Sequence, residues 1–286
     1  MSLSSSELSK ARLVAEVRVP TPFLKWAGGK GQLLGQLAGY LPKESRTYFE
    51  PFLGGGAVFF SLRPEKAVLS DLNPDLVNVY LTVRDCPAEL MEALDRHAEY
   101  RLSEEYFYEV RRQETSKLSP IERAARTVFL NKTCFNGLYR VNARGGFNVP
   151  WGGYTNPTLY DRVNLLSASA LLQGKKVLLA DYRKACGRAR KGDFVYFDPP
   201  YHPLSDTSRF TSYTKEEFGD REQEALADTF RKLDERGCLI MLSNSSTPFV
   251  RSLYGGFRVE TLRAKRAINS KGSGRGAIDE LLVLNY

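Results

Sequence analysis

The sharpest chemical signal in the chain is Asp198-Pro199-Pro200-Tyr201, directly behind the aromatic run Phe194-Val195-Tyr196-Phe197. Two prolines fix the backbone and remove two N–H donors. A carboxylate at a sheet edge, a carbonyl held by the Pro-Pro geometry and an aromatic ring can together grip a planar base that bears an exocyclic amine. Such an amine is a poor nucleophile, because its lone pair is delocalised into the ring. Acceptors that draw on its hydrogens localise that pair toward an electrophile. Asp198 would act by electrostatics and orientation. A plain strand-terminating turn could use the same residues, so the weight of the motif depends on what accompanies it.

The segment Glu50-Pro51-Phe52-Leu53-Gly54-Gly55-Gly56-Ala57 follows a strand-like run and opens a helix-like one. That is where a ligand-cradling loop belongs, and glycine admits a ligand without a Cβ clash. The pattern is not G-x-G-x-x-G, and Asp71 follows sooner than the roughly 20 residues of the NAD fingerprint. An acid there still suits ribose hydroxyls; a tight strand-to-helix turn is the alternative. Upstream, Phe23-Leu24-Lys25-Trp26-Ala27-Gly28-Gly29-Lys30 puts a lysine after a glycine pair. It is no phosphate loop, since Gly31 stands where Ser or Thr is required and the earlier glycine is missing. Lys30 is expected to meet a carboxylate or DNA.

These groups need a scaffold. Short apolar runs at Thr47 to Glu50, Ala67 to Ser70, Lys176 to Ala180, Phe194 to Phe197 and Leu239 to Leu242 each end in a polar residue or turn. They read as buried parallel strands. In an open α/β sheet the ligand crevice lies outside the carboxyl ends, so Asp71, Asp181, Asp198 and Asn244 are expected on one rim. Phe257 to Leu262 and Glu280 to Tyr286 predict a closing antiparallel pair. Between Leu76 and about Leu172 the rhythm turns helical, over Ala88 to Tyr100, Glu104 to Arg112 and Ile121 to Leu130. Ser119-Pro120 followed by Glu122 reads as an N-cap with proline at the first helical position. Asn136-Gly137 and Arg144-Gly145-Gly146 then mark a loop or hairpin over Cys134 to Trp151.

Composition limits the possibilities. The 286 residues, 42% hydrophobic, suit one or two domains with a real core. A net charge of +8 hints at an anionic partner, and 26% charged residues argue against disorder. Cys86, Cys134, Cys186 and Cys238 form no C-x-x-C pair, and neither His97 nor His202 has a partner at ligand spacing. No metal site or disulfide framework is expected, and the cytosol is the natural compartment. The N-terminal residues lack an apolar signal core, and the longest apolar run falls far below the roughly 18 residues of a membrane span.

The motifs together resemble the Dam-like adenine-N6 DNA methyltransferases of the D12 class, in their alpha arrangement. Six stretches occur in the family's order: F-L-K-W-A-G-G-K at Phe23 to Lys30, E-P-F-L-G-G-G at Glu50 to Gly56, S-D-L-N at Ser70 to Asn73, F-N-G-L-Y-R-V-N at Phe135 to Asn142, F-N-V-P at Phe147 to Pro150, and D-P-P-Y-H-P-L-S at Asp198 to Ser205. The resemblance implies a Rossmann-like sheet binding S-adenosylmethionine, formed by residues 1–75 and 173–286, with a target-recognition insert at 76–172. It implies that Trp26 and Lys30 hold the cofactor's amino-acid end and Asp71 its ribose. Asp181 and Tyr182 would face its adenine, and Glu50, Phe52 and Gly54 belong to its loop. Asp198 to Tyr201 would grip an adenine flipped out of double-stranded DNA, with Tyr201 stacking on the ring.

By the same resemblance, Phe135 to Arg140 is the hairpin that enters DNA. Phe135 would wedge into the stack, Asn136 would face the orphaned thymine, and Leu138 and Arg140 would read neighbouring bases. Arg140 can contact a guanine bidentately. Lys25 would lie near the outer guanine and Pro150 near a thymine, with Asn148 in the same DNA-binding set. The implied target is GATC, read by a monomer, with a companion restriction endonuclease as a candidate partner. Arg263, Lys265, Arg266, Lys271 and Arg275 are candidate phosphate contacts. His202 is expected only to pack or to lie at the surface. The rival readings are amino-methylation of cytosine N4, RNA or a protein amide, and a DNA-binding relative without catalysis.

Overall fold

The computed structural model describes residues 18–204, 218–265 and 277–286. The apolar runs become β1 (Tyr48–Glu50), β2 (Ala67–Asp71), β3 (Lys176–Leu179), β4 (Phe194–Phe197), β5 (Leu239–Ser245), β6 (Arg258–Lys265) and β7 (Ala277–Leu284). They form one Rossmann-like α/β sheet in the order β3-β2-β1-β4-β5-β7-β6. β2, β1, β4 and β5 run parallel; β6 and β7 pair antiparallel, as the sequence predicts, and β7 also pairs antiparallel with β5. The turn-rich sequence Asn269 to Gly276 that separates the two runs lies outside the described residues.

Two strands depart from expectation. β3 sits at the sheet's edge, and Lys176, Leu178 and Leu179 are exposed rather than buried. β5 continues past Leu242, because β7 offers it backbone partners as far as the Ser245–Glu280 pair. Asn244 is therefore a strand residue, fully buried, and not a rim residue. Its side chain accepts from the His202 backbone N–H at 3.1 Å and donates to Gln223 at 3.0 Å.

All of the sheet but the first two residues of β3 belongs to one of two compact units: Lys30–Leu53, Pro64–Leu72 and the described residues of Leu178–Tyr286. Its core includes Phe49, Val195, Phe197, Phe230, Leu242 and Val283. Full burial of each such side chain is worth about 1.5–3 kcal/mol. The second unit comprises the described residues of Met1–Gly29, with Gly54–Arg63 and Asn73–Val177. The sequence-based division assigns residues before 76 to the catalytic part, yet 18–29 and 54–63 cluster here. Phe23 explains this, packing on Phe60 and Tyr80 at ring separations of 5.9 and 5.0 Å.

Helices Pro87–Ala98, Glu104–Arg112 and Pro120–Thr133 appear where periodicity places them, and Pro74–Asp85 and Arg162–Leu172 complete the second unit's long helices. Ser119 and Glu122 form a reciprocal capping box behind Pro120. Phe107, Val110, Phe129 and Leu130 form the core beneath. Among the described residues no helix is long and apolar enough to cross a membrane.

Candidate active site

Parallel strands leave their carboxyl ends on one edge, and three carboxylates gather there. Glu50 ends β1, Asp71 ends β2 and Asp198 follows β4. The Ala180 N–H donates to the Asp71 carbonyl at 3.2 Å, which brings Asp181 beside β2's end. Asp181 also caps its short helix, accepting from the Lys184 N–H at 2.8 Å. Tyr182 is a core residue, stacked on Phe52 at 5.5 Å. Glu50 is buried and accepts from the Tyr48 hydroxyl at 2.8 Å.

Asp198 meets a cation, as the sequence foresees for Lys30. Lys30 Nζ stands 2.8 Å from Asp198 Oδ1, with the lysine side chain only 4% exposed. The Oδ1 atom is itself buried, so the ammonium is the charge that faces it. Burial raises the Asp198 pKa, while Lys30 and the Tyr201 hydroxyl hold it down; the net shift is upward. Pro199 is buried, and the Pro200 carbonyl accepts from Gln223 at 2.9 Å, so the turn is braced from behind. The Tyr201 hydroxyl donates to Glu280 at 2.8 Å, and Lys30 Nζ lies 4.7 Å from its ring centre.

His202 packs rather than lying at the surface. It is buried, with its ring nitrogens 3.2 Å from Thr247 Oγ1 and 3.2 Å from Asp220 Oδ1.

In the helical unit, Cys134 and Trp151 bridge antiparallel, as do Val141 and Phe147, so the expected hairpin is present. Phe135, just after the outer bridge, is 51% exposed, and Asn136 takes a left-handed backbone (φ 55°). Leu138 is half-buried against the helical core. Arg140 is exposed, its Nε donating to Asn148 Oδ1 at 2.6 Å, and Pro150 is exposed nearby in sequence. Lys25 is fixed to this hairpin through Asn131, which accepts from the Lys25 N–H at 2.8 Å and donates to the Gly137 carbonyl at 3.0 Å. Gly137 has φ 63°, and a Cβ there would sit 2.5 Å from Lys25 Cβ, so glycine lets the lysine pass. Gly54 plays the same part for Trp26, whose Cδ1 would lie 2.8 Å from an added Cβ.

Residues 26–268 match the family described as D12 class N6 adenine-specific DNA methyltransferase. The chain belongs to this family. It is 45% identical over 271 residues to the Type II methyltransferase M1.LlaDCHI of Lactococcus lactis subsp. cremoris, covering 93% of this chain and 95% of that protein. It is 46% identical over 285 residues to the Type II methyltransferase M.MjaIII of Methanocaldococcus jannaschii, covering 93% and 99%. It is 35% identical over 263 residues to the DNA adenine methylase of Escherichia coli K12, covering 92% and 94%. This D12 methyltransferase is thus an adenine-specific DNA methyltransferase that needs a methyl donor and takes DNA as substrate.

Sequence reasoning missed four residues of the methyltransferase's site surroundings. Glu280 and Gln223 contact the D-P-P-Y segment, while Asp75 and Asn131 hold the hairpin. Glu280 carried a signal, being a charged residue at the start of the apolar run Leu281 to Leu284. Gln223 looks like any polar position on an amphipathic helix. Of the basic C-terminal stretch, Arg263 holds Gln36 through its backbone carbonyl at 3.0 Å, whereas Arg266, Lys271 and Arg275 lie outside the described residues.

Proposed function

We propose that this enzyme transfers a methyl group from S-adenosylmethionine to N6 of an adenine flipped out of duplex DNA, within GATC. The carrying observation is Asp198: a largely enclosed carboxylate on a proline-stiffened turn, charge-paired with Lys30 at 2.8 Å. One ammonium leaves such a carboxylate with acceptor capacity for an amine hydrogen. Accepting it orients N6 and localises the lone pair that forms the new N–C bond; one N6 proton then passes to solvent water. Tyr201 stacks on the extruded base, because a base within the duplex cannot present N6 in line.

The residues present fit the cofactor. Asp71 at the end of β2 suits ribose hydroxyls, Lys30 suits a carboxylate, and Glu50, Phe52, Asp181 and Tyr182 stand on the same unit's carboxyl edge. For Trp26 and Gly54 the assignment rests on the family motif alone. When bound, S-adenosylmethionine supplies a sulfonium methyl, and the electrons of the broken C–S bond return to sulfur.

Residues 76–172 act in this reading as the target-recognition part and the remainder as the cofactor-binding part. Phe135 wedges into the stack, Asn136 faces the orphaned thymine, Leu138 and Arg140 read bases, and Lys25, Asn148 and Pro150 complete the contact set. The enzyme works as a monomer. The Type II names of two relatives support a companion endonuclease. The test is transfer of labelled methyl to duplexes carrying GATC and to duplexes with each base changed, followed by nucleoside analysis. N6-methyladenine confined to GATC is expected; another sequence would discard the base contacts and keep the chemistry, and no transfer from S-adenosylmethionine would discard the donor.

A further inference from the structure

Glu280 lies on β7, outside the glycine loop and the D-P-P-Y segment. Its backbone is held on both sides, opposite Ser245 of β5 and Leu262 of β6. The next four residues, Leu281 to Leu284, are all buried. From this rigid position Glu280 Oε2 accepts from the Tyr201 hydroxyl at 2.8 Å and stands 4.0 Å from Lys30 Nζ. The same ammonium is 2.8 Å from Asp198 Oδ1. Among the described residues one cation therefore faces two carboxylates, both largely enclosed, with side-chain exposures of 20% for Asp198 and 17% for Glu280.

We propose that Glu280 is a positioning residue of methyl transfer, which fixes the Tyr201 ring through its hydroxyl and draws Lys30 partly away from Asp198. This rests on Asp198–Tyr201 being the acceptor site. A single ammonium cannot neutralise two carboxylates, so among the described residues the cluster carries one negative charge in excess. N6 becomes more positive as its bond to the methyl forms, and residual negative charge nearby is worth more in that transition state than before it. Without Glu280, Lys30 would settle wholly on Asp198 and compete with the amine for its oxygens.

The charge relation gives a readout that a packing role would not move. Asp198 is faced by Lys30, Glu280 and the hydroxyls of Tyr201, Tyr196 and Tyr48, with Glu50 behind Tyr48. Glu280 raises the Asp198 pKa, so removing its charge must lower it. Glu280→Gln is nearly isosteric and keeps an acceptor for Tyr201. Its expected effects are a kcat roughly tenfold lower, a KM for DNA within about twofold of wild type, and an acid limb of the kcat–pH profile displaced to lower pH. Glu280→Asp, which retains the charge, should restore the wild-type limb. Glu280→Ala and Tyr201→Phe should be less damaging together than the product of their separate effects. An unchanged kcat, or a lower kcat with an unmoved acid limb, overturns the proposal. Should Asp198→Ala retain methyl transfer, the underlying site assignment fails instead.

Discussion

The Tyr139 hydroxyl donates to Asp75 Oδ2 at 2.7 Å, tying the hairpin to the start of helix Pro74–Asp85. The other oxygen of Asp75 accepts from Arg123 Nε at 2.6 Å, so the carboxylate bridges two elements. Burial and the Asp75 charge raise the Tyr139 pKa, which keeps the hydroxyl a donor. Its ring stacks on Trp26 at 5.5 Å and meets Phe147 edge-on at 5.7 Å. Tyr139→Phe keeps the ring and loses a hydrogen bond to a charged group, which should destabilise the protein by about 1.5–3 kcal/mol. Thermal melts measure that loss, and discrimination between cognate and mismatched duplexes should fall with it. A melt identical to wild type would show that the hydroxyl anchors nothing.

Arg140 is expected to specify one base pair, and Asn148 to aim it. Asn148 accepts from Arg140 Nε at 2.6 Å through Oδ1 and from its Nη2 at 3.2 Å through the backbone carbonyl, while its own N–H donates to the Arg140 carbonyl at 2.9 Å. Arg140→Ala should relax preference at a single position by about 1–3 kcal/mol, the worth of a bidentate base contact. Asn148→Ala should produce a smaller loss at the same position. Binding measured across a set of singly substituted duplexes decides this, since uniform weakening would make Arg140 a phosphate contact.

How much of this was legible in the sequence follows from which interactions are local. Strands ending in Asp71 and Asp198, the Ser119 cap and the hairpin after Cys134 are written in neighbouring residues, so pattern and turn chemistry suffice to find them. Asn244 was misplaced because strand length depends on a partner, and β7 is distant in sequence. β3 looked buried because Val177 and two leucines hide that it has only one neighbour in the sheet. Glu280, Gln223 and Asp75 act on residues 79, 23 and 64 positions away, contacts that no local pattern encodes.

Acid should loosen the helical unit through His97. Its ring stacks on Phe129 at 5.0 Å and its Nδ1 meets the Tyr106 hydroxyl at 2.9 Å. Burial, helped by the Arg96 charge, pushes its pKa down from the ordinary 6.5 to about 4. A depressed histidine pKa means that the unfolded chain binds the proton first. The stability His97 supports is then full above pH 6.5 and drains away as pH falls toward 4. The loss should be of the order of 2 kcal/mol, discounted for partial exposure. Denaturant melts across this window should show His97→Phe with a shallower decline than wild type. Equal slopes would mean that other groups carry the acid sensitivity.

Asp198→Ala should remove methyl transfer while leaving DNA affinity in place, because it deletes the acceptor for N6 and no contact to the DNA backbone. Loss of one preorganised electrostatic partner lowers kcat by roughly 100- to 1,000-fold. Lys30 retains Glu280 4.0 Å away, so the variant should still fold, which a melting curve checks. Asp198→Asn sharpens the test, since it keeps size and one carbonyl oxygen but cannot ionise. Protonation converts the wild-type carboxylate into a weaker acceptor, so wild-type kcat should fall as pH drops through the Asp198 pKa. Burial places that pKa above the ordinary 3.8, and the acid limb should lie correspondingly high. The Asn variant should be slow and lack that limb. A variant that folds, binds duplex DNA and methylates it at the wild-type rate would remove Asp198 from the chemistry. One that binds DNA and the donor but transfers nothing would place the defect at the transfer step.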